Sequence, residues 1–267
     1  AMVPTARAAA LCWAAAAVQC AAYAPEPAGL PLHARRDKGA AAIAEHVTRT
    51  VEAGRTQDIL KAFDTFSTRE RLGMQLGEEK GNLIMMAVKR GLPEKGPMTV
   101  LETGCHAGDG SLWAATIAGT REGSTLISTE ANELWLDAAK KVVAHGTSGM
   151  KGFKFLPMQL AENADFGQFL DTLRNEHGIK TLDAVILDQD QSQFASQVKL
   201  MLEKDMLRKG STIYVDNVAT KKAKLKEYLT LVKGRDSKKF WSEPHEVSRP
   251  YEDAVLISTY LADSVEL

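Results

Sequence analysis

The sequence predicts an α/β protein built on one doubly wound, mostly parallel sheet, and three observations carry that expectation. Short apolar runs alternate with helical-period stretches from Pro97 onward. A glycine-rich turn, V-L-E-T-G-C-H-A-G-D-G at 100–110, joins one such run to an apolar helical stretch. The runs also end in acids, at Glu102, Glu130, Asp188 and Asp216, although their interiors are almost wholly apolar. In doubly wound sheets a ligand binds outside the carboxyl ends of the strands, where the strand order reverses.

Taken in order, residues 39–62 have a helical period, with Ile43, Val47, Val51, Ile59 and Leu60 on one face and a break at Gly54. Residues 63–81 mix aromatic, polar and glycine residues and read as a loop-rich lead-in. A helix over 83–90 ends at Gly91 and Pro93. Strands are expected over 98–103, 125–129, 153–157, 182–187 and 211–216, short and apolar as a sheet covered on both faces requires. Helices near 110–118, 132–144, 165–176 and 192–204 separate them. A helix over 219–233 precedes two strand-like runs, 239–247 and 253–260, with no helix between them. That pattern predicts a closing antiparallel hairpin at the edge of a sheet of about seven strands.

Composition narrows the function. The 267 residues allow one large domain or two small ones. With 33 basic and 34 acidic residues the net charge is −1, which gives no electrostatic case for nucleic acid as partner. Cys12, Cys20 and Cys105 make neither a disulfide framework nor a zinc motif. Residues 8–24 carry no charge and follow Arg7, with a small-x-small site at Ala22-Tyr23-Ala24. Residues 1–36 therefore read as an Ala-rich targeting segment (secretory signal or organelle transit), a membrane anchor or a plain helix, and 37–267 as one domain.

Several residues carry candidate chemistry. Gly104 and Gly108 permit a close backbone approach to a ligand. Glu130, 26 residues after Gly104, is placed to accept hydrogen bonds from a ribose diol, or else simply neighbours the helix start at Asn132. Asp188, Asp216 and Asn217 offer hard oxygen ligands of the kind Mg²⁺ prefers, the alternative being that Asp216-Asn217 caps a following helix. Asp190 is a candidate to support Asp188. Of the six histidines only His106 lies in the glycine turn. Hydrolase triads, zinc proteases and P-loop NTPases lack their motifs: there is no G-x-S-x-G, H-E-x-x-H or G-x-x-x-x-G-K-[ST].

From about Asp58 to the C-terminus the chain resembles the catechol O-methyltransferase family of cation-dependent S-adenosylmethionine O-methyltransferases. The resemblance rests on A-F-D-T-F, G-M-Q-L-G-E-E-K-G, V-L-E-T-G-C-H-A-G, L-I-S-T-E, L-D-A-V-I-L-D-Q-D-Q and M-L-R-K-G-S-T-I-Y-V-D-N-V. It implies the Rossmann-like methyltransferase fold, with S-adenosylmethionine and Mg²⁺ as cofactors and a small aromatic diol as partner. Met74, Leu76 and Gly77 would then close over the donor methionine. Glu102, Gly104 and Gly108 would hold its amino-acid end, Glu130 its ribose, and Ala161 and Glu162 its adenine. Asp188, Asp216 and Asn217 would hold Mg²⁺. The family's catalytic lysine, three residues after the first metal Asp, is replaced here by Gln191, which cannot take a proton. Lys221 and Lys222 are candidates to compensate. The family's aromatic after Asp188 is replaced by Gln189-Asp190, and Glu243 and Glu246 are candidates for its acidic substrate-gripping position. The resemblance thus implies an O-methyltransferase, or a weakened relative serving as a binding or assembly subunit.

Overall fold

The computed structural model describes residues 32–234, 238–249 and 251–262, with side chains from Lys38 onward. The chain divides into two units, 1–35 and 36–267, and the whole sheet belongs to the second. The uncharged run 8–24, its cleavage-like site, Cys12 and Cys20 lie outside the described residues, as does the side chain of His33. No described helix is long and apolar enough to cross a membrane.

Seven strands form one sheet: β1 (Thr99–Thr103), β2 (Thr125–Glu130), β3 (Lys154–Gln159), β4 (Leu182–Leu187), β5 (Leu207–Val215), β6 (Phe240–Val247) and β7 (Asp253–Tyr260). Their order is β3-β2-β1-β4-β5-β7-β6. The first five are parallel, and β7 runs antiparallel between β5 and β6. The expected edge hairpin is therefore present, with β6 outermost and its return strand inserted beside β5. The order reverses between β1 and β4, which places the ligand crevice over Gly104 and Asp188.

The pleat assigns the core. Val100, Leu126, Ala184, Ile186 and Ile257 face one apolar cluster, while Leu101, Ile127, Val185, Leu187 and Leu256 face the other. Four N-terminal helices cover the first face together with α5 (Glu133–Gly146): α1 (Leu32–Thr50), α2 (Thr56–Arg69), α3 (Gly77–Arg90) and α4 (Asp109–Ala118). The second face is covered by α6 (Phe166–Asn175), α7 (Phe194–Glu203) and α8 (Lys226–Lys233).

Four elements differ from expectation. Helix α2 continues through Phe63 to Arg69, where a loop was expected, because Ile59, Leu60, Phe63, Phe66 and Ser67 fall on one buried face. Helix α3 begins at Gly77 rather than Leu83. Its first buried positions are Lys80 and Gly81, neither of which reads as apolar in sequence. Only Lys226–Lys233 of the expected helix 219–233 forms; the segment before it is held in turns by Asp253, whose Oδ1 accepts from the Ala219 and Thr220 amides. Strand β5 also starts earlier than expected, since a register shift between Leu182 and Ala184 absorbs the polar Arg208–Gly210 stretch.

Candidate active site

The glycine turn after β1 is built by close approaches. Gly104 has φ +84, and a Cβ there would lie 2.2 Å from the Asp188 carbonyl oxygen. The turn thus packs directly on the chain leaving β4. Gly104 and Cys105 both donate their amides to Thr129 O at 2.9 Å, which fastens the turn to β2. Gly108, at φ +95, begins α4 and would place a Cβ 2.9 Å from Val143, so α4 and α5 meet there.

Two acids frame this turn. Glu102 is 2% exposed; its Oε2 accepts from the Ser128 hydroxyl at 2.8 Å and from the Ser111 hydroxyl. Burial pushes its carboxyl up to about 7 against the opposing pull of those two hydroxyls. Glu130 accepts from the His106 amide at 2.9 Å and from the Asn132 amide at 3.0 Å. It therefore joins the glycine turn to the start of α5, whose own cap is Asn132. The His106 ring stacks on Trp135 with centroids 3.7 Å apart.

Beyond the turn, the loop before α3 exposes Met74 (58%, φ +69) and buries Leu76, whose amide donates to Asp109 Oδ2 at 2.9 Å. Burial raises Asp109 to about 6, although the amides of Leu76, Asp109 and Gly110 oppose the shift.

At the ends of β4 and β5 the chemistry turns to oxygen ligands. Burial and the neighbouring Asp216 push Asp188 well above the usual carboxylate range. Its side chain has no hydrogen-bond or ion-pair partner among the described residues. Asp216 pairs with Lys80, whose Nζ lies 2.8 Å from one carboxylate oxygen and 2.9 Å from the other. Lys80 is only 1% exposed and also reaches Asp253 Oδ2 at 3.0 Å and Tyr251 Oη at 3.2 Å. Burial disfavours its charge, yet Asp216 and Asp253 hold it above the ordinary lysine range. Asp253 is held near 2; burial opposes ionisation, but hydrogen bonds from Asn217, Ala254, Lys80 and Thr220 outweigh it. Asn217, at φ +60, donates its Nδ2 to Asp253 and to Tyr251, each at 2.9 Å. The Gln191 amide lies 3.5 Å from Asn217 Oδ1.

Proteins similar to this chain in sequence or in fold are O-methyltransferases. No family model matches the chain. It is 29% identical over 225 residues to a "Probable O-methyltransferase" of Mycobacterium tuberculosis, covering 83% of this chain and 91% of that protein. It is 30% identical over 177 residues to catechol O-methyltransferase B of Danio rerio, covering 66% of this chain and 61% of that protein. The chain is thus similar in sequence to catechol O-methyltransferases and to an O-methyltransferase. The fold agrees. A Bacillus cereus O-methyltransferase solved with SAH superimposes with TM-score 0.57 at 14% identity, covering 84% of this chain and 99% of that one. The Streptomyces achromogenes O-methyltransferase TomG, solved with SAM, gives 0.54 at 17% identity, covering 73% of this chain and 86% of that one.

Within this catechol O-methyltransferase-like chain, the expected residues fall into two groups around the β1–β4 reversal. Glu102, Gly104, Gly108 and Glu130 form one connected turn, and Gln191 joins Asn217 and, through Lys80 and Asp253, Asp216. Ala161 and Glu162 are exposed beyond β3, where the Glu162 carbonyl accepts from Gln193 at 2.8 Å. Asp190 is engaged elsewhere: it caps the 3₁₀ turn Gln191–Gln193 and pairs with Lys224 at 3.1 Å, so it does not support Asp188. Glu243 pairs with Arg90 on α3, Glu246 is exposed, and Lys221 and Lys222 are exposed on the turns after Asn217. Asp216-Asn217 caps no helix, since α8 begins only at Lys226.

Sequence reasoning passed over Lys80, Asp109, Tyr251 and Asp253. The E-E-K-G stretch held the one available signal, because Lys80 shares a helical face with Ile84, Ala87 and Val88. A charge on an otherwise apolar face needs a buried partner.

The residues present fit a hard divalent cation. Two carboxylates and an amide oxygen stand at adjoining strand ends, and the Asp188 carboxyl accepts no hydrogen bond among the described residues. No group of three or more His, Cys, Asp or Glu side chains is arranged for a metal among the described residues, so the third ligand would be the Asn217 amide.

Proposed function

We propose that this protein is an S-adenosylmethionine-dependent O-methyltransferase that uses Mg²⁺ and acts on a small catechol-like aromatic. The observation that carries this reading is the juxtaposition across the Gly104–Asp188 contact of a glycine turn framed by Glu102 and Glu130 with a carboxylate-rich strand end. The turn suits a nucleoside-bearing donor, with Glu130 toward the ribose diol, Glu102 toward the methionine amino group, and Met74, Leu76 and Gly77 covering it. Ala161 and Glu162 flank the adenine. Asp188, Asp216 and Asn217 suit the cation.

A bound Mg²⁺ would lower the pKa of an acceptor hydroxyl and orient it. The chain itself contributes positioning. The Gly104–Asp188 approach sets donor and acceptor ends side by side, and charge is lost in the transfer, so a closed, dry site favours it. Met74, exposed in the loop before α3, is the residue we assign to closing it.

A second reading is favoured by Gln191. This side chain sits 9% exposed against Asn217, where a proton acceptor would be useful, and it cannot act as one. A protein that binds the donor without efficient transfer would then serve as a binding or assembly subunit.

Calorimetry with S-adenosylmethionine, with and without Mg²⁺, followed by a panel of catechols, separates the readings. Donor binding with methylated product supports the first. Donor binding without product from any acceptor supports the second, and no donor binding overturns both.

A further inference from the structure

The Lys80 ammonium is the meeting point of α3, β5 and β7, and it touches one candidate cation ligand directly and a second through one carboxylate. Asp216 Oδ2 accepts a hydrogen bond from Nζ at 2.9 Å, while Oδ1, 2.8 Å from Nζ in the ion pair, is buried with no hydrogen-bond partner of its own among the described residues. Each oxygen keeps a further lone pair. The same ammonium holds Asp253 Oδ2, which accepts from Asn217 Nδ2 and so fixes which way the amide faces. Asn217 is held there despite a left-handed backbone that a non-glycine residue adopts at some cost.

Charge leads to the same place. Asp216 and Asp253 share a single ammonium, so one positive charge serves two carboxylates at this strand end and a cation is the counter-charge the group still lacks. A buried lysine is expensive, and an apolar side chain often replaces a buried ion pair at no loss of stability. Packing alone therefore does not account for it.

We propose that Lys80 is a positioning residue that presents Asp216 and Asn217 to a divalent cation, its ammonium staying in place when the cation binds. The proposal rests on the reading that Asp188, Asp216 and Asn217 hold such an ion.

The test uses the full chain, Mn²⁺ as the probe, and Lys80→Met and Lys80→Gln. Mn²⁺ binding is followed by electron paramagnetic resonance, S-adenosylmethionine binding by calorimetry, and folding by thermal melting. Lys80→Met is expected to weaken Mn²⁺ at least tenfold while changing donor affinity less than threefold. Lys80→Gln keeps a hydrogen-bond donor without the charge and should weaken Mn²⁺ comparably. Unchanged or tighter Mn²⁺ binding in either variant overturns the proposal, as does a parallel loss of donor affinity, which would make Lys80 a packing residue. Should both variants unfold, the wild-type protein still decides. With ¹⁵N-labelled lysine, the protected Lys80 ammonium signal should persist and shift when Mg²⁺ is added, and its loss would mean the cation displaces it. Absence of Mn²⁺ binding to the wild-type chain would instead overturn the underlying metal reading.

Discussion

Glu130 accepts a hydrogen bond from the His106 amide at 2.9 Å, so the acid that ends β2 closes directly onto the glycine turn that follows β1. Its other oxygen holds the Asn132 amide at 3.0 Å. The residue proposed to read the donor ribose is therefore also a strut of the pocket wall. Its two roles separate experimentally.

Replacing Glu130 with Gln retains an acceptor for one amide but removes the charge. Donor affinity should fall about 10-fold or more, given roughly 1.5–3 kcal/mol for a hydrogen bond to a charged group. Glu130→Ala should lose as much affinity and also lower the melting temperature, because two amides lose their acceptor. Calorimetry and melting curves on the two variants check this.

Glu102 makes stability depend on pH in a definite direction. Its folded carboxyl titrates near 7 against an ordinary value of 4.5, so between those values the folded chain binds more protons than the unfolded one. Its contribution is fully present below pH 4.5, declines as pH rises toward 7, and is constant above that. Glu102→Gln should remove a slope of up to about 1.4 kcal/mol per pH unit across that window. Urea denaturation at pH 5 and pH 7.5 measures it, and parallel pH dependence in variant and wild type would refute the assignment. A protonated amino group bound beside Glu102 would favour the carboxylate, so donor binding near pH 6 should release a proton to buffer.

Gly104 and Gly96 share φ +84 but differ in surroundings. Alanine at Gly96 meets nothing within 4 Å and should cost about 1 kcal/mol, from backbone conformation alone. Alanine at Gly104 meets the Asp188 carbonyl at 2.2 Å, and neither strand end can yield without moving the site. A loss of roughly 2–4 kcal/mol with a matching fall in donor affinity is expected. Equal effects at the two positions would mean the close approach is easily relieved.

Gln191→Lys should raise transfer to catechols, since a positioned general base contributes about 10²–10⁴-fold. Initial rates across pH 6–9 in wild type and variant test this reading (about that span brackets a typical catalytic base). An unchanged rate would place the block instead in the loop carrying Ser248 and Tyr251. That loop is clamped to α3 by Glu79, which accepts from the Ser248 and Arg249 amides at 2.7 and 3.1 Å.

The sheet and the glycine turn were legible because their signals are local. Strand interiors such as A-V-I-L at 184–187 are continuously apolar, and a buried strand needs little beyond its own composition to declare itself. The turn at Gly104–Gly108 declares itself through glycine, whose freedom is required wherever it appears at positive φ. Helix α2 was missed at its end because Asp64, Thr65 and Thr68 fill its outer face and Ser67 interrupts the apolar inner one. Helix α3 was shortened because its first inward residue is charged.

The Lys80 cluster has no such local signature. Lys80 and Asp216 are 136 positions apart, and Lys80 and Asp253 are 173 apart. Asp253 stands beside Asp216 only because β7 inserts antiparallel against β5 instead of lying at the edge. Composition and period settle where each strand runs and which residues end it. Which of those end-groups share a proton, an ammonium or a cation follows from strand order and helix docking, because charge pairing acts over a few ångströms of space whatever the separation along the chain.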